Sequence, residues 1–562
     1  MLELAFPPAF ILILGALLIA VARPGMRPVL VLAAPLLTLW AIWQLPDGVL
    51  MTVGFLGYPI ELVEASPVRR LFATAFAIMA FAGGLFGLRQ AKWQETAASY
   101  AYAAGAVGVS FAGDLITFFL FWEFMALFST VVIWCGGTDA ARRAGVRYAL
   151  MHLVGGVILK IGIEGVMIHT GSIDVRPLVL DNFDTWVVLI GVLINAAAPP
   201  ISAWLADAYP EGSPFGSVFL TAFTTKTAVL ALILLFPGAQ VLIWIGLYMV
   251  FYGIIYALLE NDMRRILAYS IVNQVGFMVC AVGIGTQMAI NGAAAHAFAH
   301  IIYKALLMMS AGAVLYQTGK RKCTDLGGLY QSMPITTLCG IVGALAISAF
   351  PFTSGFISKS MISQAAADQQ MVWVWYLLTA ASAGVFLHAG IKFPWFVFFQ
   401  KDSGLRPADP PWNMRAAMIL FAVACIAIGC FPGLLYSLLP YPVDYQPYTG
   451  EHLVSQFQLL LFAGLAFFVM LPAMQRTLTI SLDLDWTYRM LLPRLAGWVE
   501  RIWVALMELI DTRWQRSGRP LVERLTRWSE PGGALARTSP IGSMALWVTV
   551  ILVLVVALAQ RG

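Results

Sequence analysis

Apolar runs of about 20 residues, the length that carries a helix across a bilayer core, recur along nearly the whole of this chain. They fall at roughly 2–22, 28–46, 70–88, 97–113, 114–135, 147–170, 183–206, 217–236, 239–259, 264–286, 290–316, 335–366, 372–400, 413–435, 455–472 and 541–559, sixteen in all. Inside lipid the backbone must satisfy its own hydrogen bonds, which restricts spanning segments to helices or a closed barrel. A barrel would show short alternating segments, and these runs are continuous. Composition agrees: 11% of the residues are charged and 60% hydrophobic, against about 25% charged in soluble domains. The expected fold class is an all-α polytopic membrane protein. The first run lacks a basic n-region and a small-x-small cleavage site, so it reads as a helix of the mature chain rather than a signal peptide.

The loops carry an asymmetric charge. Arg23/Arg27, Arg89/Lys92, Arg142/Arg143/Arg147, Arg264/Arg265, Lys320/Arg321/Lys322 and Lys401/Arg406 fall on one side if every run crosses. Asp47, Glu61, Glu64, Asp174, Asp181, Asp368, Asp444 and Glu451 fall on the other, with Arg69, Arg70 and Arg176 as exceptions. Positive-inside bias then places the N-terminus outside and the basic loops in the cytoplasm, in a plasma (inner) membrane of bacterial type. Cys135, Cys280, Cys323, Cys339, Cys425 and Cys430 form no C-x-x-C and no His/Cys cluster, so neither a disulfide framework, a zinc site nor an iron–sulfur cluster is indicated. No P-loop, nucleotide fold or haem-ligation pattern is present either. No cofactor, no metal and no nucleic-acid partner are expected, and any energy source must lie in partner subunits or an ion gradient.

Two runs are broken. "NAAAPPISAWLADAYPEGSP" (195–214) interrupts the seventh, and "ISAFPFTSGFISKSMI" (347–362) the twelfth. Unwound backbone at membrane depth is tolerated where it is buried in protein or lines a cavity, and paired breaks point to a transport pathway. They belong to an internal echo. His152 and Lys160 stand eight apart, as do His296 and Lys304; each broken run is followed by one with a lone lysine, Lys226 or Lys392. Runs four to eight and nine to thirteen thus read as two five-helix units, inverted because the number per unit is odd. The chain divides into 1–96 (three N-terminal helices), 97–236 and 237–400 (the repeats) and 401–475 (further membrane helices). An amphipathic Arg/Trp-rich cytoplasmic segment at 476–540 and a final membrane helix at 541–562 complete it. That amphipathic segment suits either a linker with an anchor or a brace along a partner.

An ionisable side chain at the centre of an isolated membrane helix costs about 2.5–3.5 kcal/mol, and this chain accepts the cost repeatedly. Glu123, Lys160, Glu164, Lys226, His296, His300, Lys304, Lys359, His388 and Lys392 all lie within apolar runs, with Asn195, Ser270, Asn273 and Gln274 as neutral companions. Structural readings compete with functional ones. Lys359 and Lys392 can snorkel, Lys160–Glu164 can be a static ion pair, and a single histidine can serve helix packing. Glu123 has no neighbour in its own helix to neutralise it, so its partner must come from another segment, Lys160 or Lys226. His296, His300 and Lys304 in "HAFAHIIYK" follow i, i+4, i+8 and share one stripe. With carboxylates and lysines they form a set able to exchange protons, whereas a metal site would not enlist lysine. The candidate proton-carrying residues are Glu123, Lys160, Lys226, His296, His300, Lys304, Lys359 and Lys392.

"FWEFMALFSTVVI", "PPISAWLADAYPEGSPFGSVFLTAFTTKTAVLAL", "AYSIVNQVGFM", "HAFAHIIYKALLMMSAGAV" and "TSGFISKSMI" resemble, in order, the antiporter-like subunits of complex I, membrane-bound hydrogenases and Mrp-type Na+/H+ antiporters. The flavour is that of the Mrp D subunit. The resemblance implies a core of about fourteen helices with two inverted five-helix repeats and broken helices seven and twelve, leaving about two extra C-terminal segments. It implies that Glu123, Lys226, His300, Lys304 and Lys359 line a proton path. The expected partners are other membrane subunits of an antiporter or respiratory-type complex, membrane lipid, protons and Na+. Readings that stay open are the pump module of an NADH dehydrogenase-like, hydrogenase-like or bicarbonate-uptake complex, an enzyme's translocase component, and a non-conducting scaffold. One departure stands out: where the family carries a lysine before the seventh-helix break, this chain has Asn195, so either Lys160 supplies the charge or the first half-channel works differently.

Overall fold

A computed structural model describes residues 6–55, 57–472, 483–534, 536 and 540–560; the start of the first apolar run and residues 476–482 of the expected amphipathic segment lie outside them. The chain forms two compact units, Met1–Asp485 and Trp486–Gly562. The first unit opens with α1 (Pro8–Val21) and α2 (Arg27–Gln44), an antiparallel hairpin of β1 (Gly48–Phe55) and β2 (Tyr58–Ala65), and α3 (Pro67–Gly87). The hairpin replaces what reads in the sequence as a polar loop. Its second strand is pinned where the Glu61 N–H donates to Asp114 Oδ2 at 2.8 Å.

Next come α4 (Trp93–Phe111), α5 (Leu115–Trp134), α6 (Asp139–Thr170), α7 (Phe183–Asn195), α8 (Ala203–Ala208), α9 (Gly216–Leu220) and α10 (Thr224–Leu235). A second series follows: α11 (Val241–Leu259), α12 (Met263–Ile284), α13 (Gln287–Thr318), α14 (Pro334–Ile347), α15 (Ser354–Asp368) and α16 (Val372–Val385), the last continued by π-helical turns at Phe386–Lys392 and Trp395–Phe399. α17 (Trp412–Cys430), the short α18 (Gly433–Tyr436) and α19 (Gly450–Val469) complete the unit. The second unit holds α20 (Leu492–Arg513), α21 (Arg519–Ser529) and α22 (Ile541–Ala559). Pro493 and Pro520 are accommodated in the first turns of α20 and α21, each preceded by a π-helical turn.

Among the described residues twelve helices are long and apolar enough to cross a membrane, and α1, α7 and α14 are shorter apolar helices. The chain is a multi-pass α-helical membrane protein. The sixteen expected runs exceed that count for local reasons. The seventh and twelfth are cut into pieces (α7/α8 and α14/α15), and α4 is rich in Ala, Gly, Ser and Tyr rather than Leu and Val. Arg69, Arg70 and Arg176, the exceptions to the charge asymmetry, are each matched by a carboxylate. Arg69 and Arg176 meet Glu64 at 2.7 and 3.0 Å, and Arg70 meets Asp47.

Helix starts recur at a fixed spacing. α4 and α11 begin at 93 and 241, α5 and α12 at 115 and 263, and α6 and α13 at 139 and 287, a constant offset of 148. The caps repeat at the same offset. Asp114 and Asp262 accept from the first N–H groups of α5 and α12, Thr138 and Thr286 cap α6 and α13, and Gly171 and Gly319 end them at φ of +68° and +67°. Side-chain oxygens satisfy donors that a helix start leaves unpaired, and glycine takes the left-handed exit without a Cβ penalty. Gly105 and Gly253 also correspond. A Cβ on the first would stand 2.8–2.9 Å from Met125, and on the second 2.6–2.7 Å from Asn273 and Tyr269, so only glycine lets these helix pairs approach so closely. This register pairs His152 with His300, not with His296 as the eight-residue spacing suggests. The copies differ in depth: the apolar stretches of α12 and α13 are 100% and 94% buried, those of α5 and α6 only 44% and 39%.

Candidate functional site

The two breaks are built alike. α7 ends at Asn195 and Ala197 takes φ +59°; α14 ends at Ile347 and Ala349 takes φ +55°. A non-glycine residue in that region costs about 1–3 kcal/mol and tends to persist at functional sites. Each break exposes helix-end carbonyls that need donors. Trp204 Nε1 donates to Ile194 O at 3.0 Å, and Lys359 Nζ donates to Ile347 O at 2.8 Å.

Buried lysines generally sit on such ends. Lys226 Nζ donates to Thr221 O, past the last turn of α9, at 2.6 Å and to Thr225 Oγ1 at 3.1 Å. Lys392 Nζ donates to Ala257, Leu258 and Glu260 carbonyls at 2.6–2.7 Å, closing the C-terminus of α11. Lys359 additionally lies 4.9 Å from the Phe277 ring centroid. The negative pole of a helix and its open carbonyls favour a cation, and these carbonyls hold the lysine ammonium groups in place. Lys304 is the exception: it is fully buried, and its Nζ has no hydrogen-bond partner among the described residues.

Around Lys304 runs the rest of the α13 stripe. His296 Nδ1 is 3.0 Å from Ser358 Oγ, and its Nε2 is 3.1 Å from Gln274 Oε1, which also accepts from Tyr303. Gln274 donates to Asn273, and Asn273 to Val250 O at 2.8 Å. His300 is fully buried with neither ring nitrogen partnered, edge-on to Tyr303 at 5.2 Å. Lys226, Lys304, His296 and Lys359 are all within electrostatic reach of His300. His388 reaches the charges of Lys304, Lys359 and Lys392. Its Nδ1 donates to Gly384 O at 2.9 Å, while its Nε2 is unpartnered. The structure therefore brings Lys226, His296, His300, Lys304, Lys359 and Lys392 into one buried row, with His388 among them.

Glu123 and Lys160 do not join that row. Lys160 pairs with Glu164 at 2.7 Å on the open face of α6, the two side chains 40% and 58% exposed. Glu123 is half-buried against Gly156 of α6, its Oε1 without a partner. Neither Lys160 nor Lys226 forms the ion pair expected for it. Asn195 is instead matched by His152, with Oδ1 2.7 Å from Nδ1. The His152 ring packs on Tyr148 at 4.1 Å and on Trp204 at 4.7 Å. A histidine–asparagine pair thus fills the place where the family resemblance leads one to expect a lysine. Beside it lies a hydroxyl chain missed in the sequence: Ser129 to Tyr148 at 2.9 Å, Tyr148 to Thr224 at 3.5 Å and Thr224 to Tyr102 at 2.6 Å. Uncharged and scattered over four helices, these groups leave no local signal.

The family described as NADH:quinone oxidoreductase/Mrp antiporter, TM, matches residues 112–385, which hold the row except His388 and Lys392. That match spans just under half of the chain, and the similarity lies with the antiporter-like superfamily of membrane subunits. It is 29% identical over 357 residues to the probable A/B subunit of a K(+)/H(+) antiporter from Rhizobium meliloti, covering 59% of this chain and only 36% of that protein. It is 29% identical over 353 residues to the D subunit of a Na(+)/H(+) antiporter from Alkalihalophilus pseudofirmus, covering 58% and 68%. Among solved structures, a chain of the Mrp complex from Dietzia sp. DQ12-45-1b superposes with a TM-score of 0.68 at 20% identity, covering 83% of this chain and 99% of its own length. A chain of the membrane-bound sulfane sulfur reductase, an archaeal respiratory membrane complex, superposes with a TM-score of 0.72 at 22% identity, covering 98% and 100%.

Proposed function

We propose that this antiporter-like chain is the proton-translocating subunit of a multisubunit membrane complex that exchanges protons for a monovalent cation such as Na+. The observation that carries the reading is the buried row of Lys226, His300, Lys304 and Lys359, with Lys304 and both nitrogens of His300 unpaired. A polar group left unpaired in the interior costs about 1–3 kcal/mol, and such groups are retained in membrane cores as ion and proton pathways. Lys226 at the α9/α10 junction and Lys359 at the α14/α15 break hold and release protons, His300 and Lys304 carry them between, and His296, fixed by Ser358 and Gln274, orients the stripe. The second repeat (237–400) with Lys226 is the conducting part. In the first repeat (97–236) the hydrogen-bonded His152–Asn195 pair and the peripheral Lys160–Glu164 pair favour a structural role. The chain sits in a bacterial-type inner membrane with the N-terminus outside and basic loops cytoplasmic, an orientation supported by the pairing of the three exceptional arginines.

A redox-coupled complex is the second reading. It is favoured by the likeness to the sulfane sulfur reductase chain, which extends over the C-terminal unit beyond Asp485. The test is gradient formation in vesicles holding the assembled complex, energised by a cation pulse or by an electron donor. Lys304→Ala should abolish the pH change while the complex still assembles; undiminished pH changes would overturn the proposal. The energising condition that works separates the two couplings.

A further inference from the structure

Two cavities, the first of them beside Lys359, share a wall. The first, about 330 Å³, is lined by Lys359 and Ser360 of α15, Trp375 of α16 and His452 and Gln456 of α19. The second, about 550 Å³, shares Ser360, Ser363, Trp375, His452 and Ser455 with the first and extends to Asp368, Asp444 and Glu451. Together they connect the lysine at the α14/α15 break to the acidic face of the molecule. α19 lies beyond the family match, which ends at residue 385.

His452 is held in a defined state in that wall. Its Nδ1 lies 2.8 Å from Pro447 O, and because a carbonyl can only accept, Nδ1 carries the hydrogen and Nε2 keeps the basic lone pair. The ring stacks on Phe356 of α15 with centroids 4.7 Å apart and planes at 16°. One turn along α19, Gln456 Nε2 donates to Ala349 O at 2.9 Å, tying the helix to the break itself. An imidazole so placed between a buried amine and an acid-lined opening has the geometry of a proton shuttle.

We propose that His452 is the proton-transfer group between Lys359 and the acidic face, so that α19 completes the outer half of the pathway. This rests on the proton-translocation reading above. In the step, the Lys359 ammonium loses a proton, through solvent in the first cavity, to the Nε2 lone pair of His452. The imidazolium then releases a proton from Nε2 to a water among Asp368, Asp444 and Glu451, while Nδ1–H stays on Pro447 O. Lys359 regains its charge from the buried row. Only N–H and O–H bonds form and break, and no electron moves.

The test uses the assembled complex in vesicles energised as above. His452→Gln should lower the rate of pH change by about tenfold or more without affecting assembly, and added imidazole should restore it. Ser455→Trp, which fills the shared wall without touching the histidine, should lower the rate with no imidazole rescue. Full rate in His452→Gln, or a loss that imidazole does not repair, overturns the proposal. Should His452→Gln fail to assemble, Ser455→Trp decides, and an undiminished rate there overturns it. Lys304→Ala serves as the reference. An inactive Lys304→Ala beside an active His452→Gln removes this inference alone, and two active variants remove the translocation reading as well.

Discussion

Replacing Lys304 by methionine should make the protein more stable and inactive at once. Lys304 is wholly enclosed by protein, and its Nζ has no hydrogen-bond partner. An unpaired buried polar group costs about 1–3 kcal/mol, and a cation at mid-helix about 2.5–3.5 kcal/mol on insertion scales. Methionine has nearly the same length and shape, so the swap adds little cavity or overpacking. The expected gain is about 1–3 kcal/mol, read as a melting temperature raised by a few degrees in the detergent-solubilised complex, while proton flux in vesicles is lost. Lys392→Met is the matched comparison. Its Nζ serves three carbonyls, and each charge-assisted bond is worth about 1.5–3 kcal/mol, so that variant should melt lower than wild type. Most substitutions destabilise, which makes a rise informative. If Lys304→Met melts below wild type as Lys392→Met does, Lys304 is a structural cation and the reasoning fails.

Asn195→Leu should cost about 1–3 kcal/mol by stranding His152 Nδ1, yet leave flux within about twofold if the second repeat conducts; a loss beyond tenfold in the vesicle assay would return the path to the first repeat. Burial raises the Glu211 pKa, but the Arg321 hydrogen bond and the charges of Arg321, Arg264 and Arg265 more than reverse this and hold it below its ordinary value. A depressed carboxylate stabilises above its unfolded pKa and loses that contribution as pH falls through the folded one. Melting curves from pH 7 down to 3 should therefore show a smaller acid-side loss for Glu211→Gln than for wild type. Gly253→Leu should lower melting, since even a Cβ would meet Asn273 and Tyr269 at 2.6–2.7 Å and overpacking costs about 1–3 kcal/mol; a melting temperature equal to wild type would show that α11 and α12 can part freely.

The large features were legible because each has a strong local cause. Length and hydropathy mark the spans, Pro199–Pro200 and Pro351 mark the breaks, and the i, i+4, i+8 spacing marks the α13 stripe. Burial depth was not legible. Lys160 and Lys304 sit in equally apolar contexts, yet one lies on an open face and the other at the centre, because α6 is peripheral and α13 enclosed. The hairpin at Gly48–Ala65 was hidden by Glu61 and Glu64, which read as loop. The repeat register was hidden by side-chain divergence: Asp114/Asp262 and Thr138/Thr286 correspond as caps, and a cap is recognised only once the helix end is known. The His152–Asn195 bond and the place of His452 are long-range contacts that no window of sequence contains.

The constant offset of 148 has a consequence for how this chain can vary. A single bridge, Asp114–Asp174, joins the start of α5 to the segment after α6, and another, Asp262–Lys322, does the same for α12 and α13. The connections inside each pair are therefore fixed in length at both ends. Adding or deleting one residue would turn the following helix by about 100°, carrying His300 and Lys304 off the interior stripe without altering a single side chain. Insertions are usually tolerated in surface loops. Here the short turns at 135–138 and 285–286 are timing elements, and a drifting lineage can exchange their residues far more freely than it can change their number.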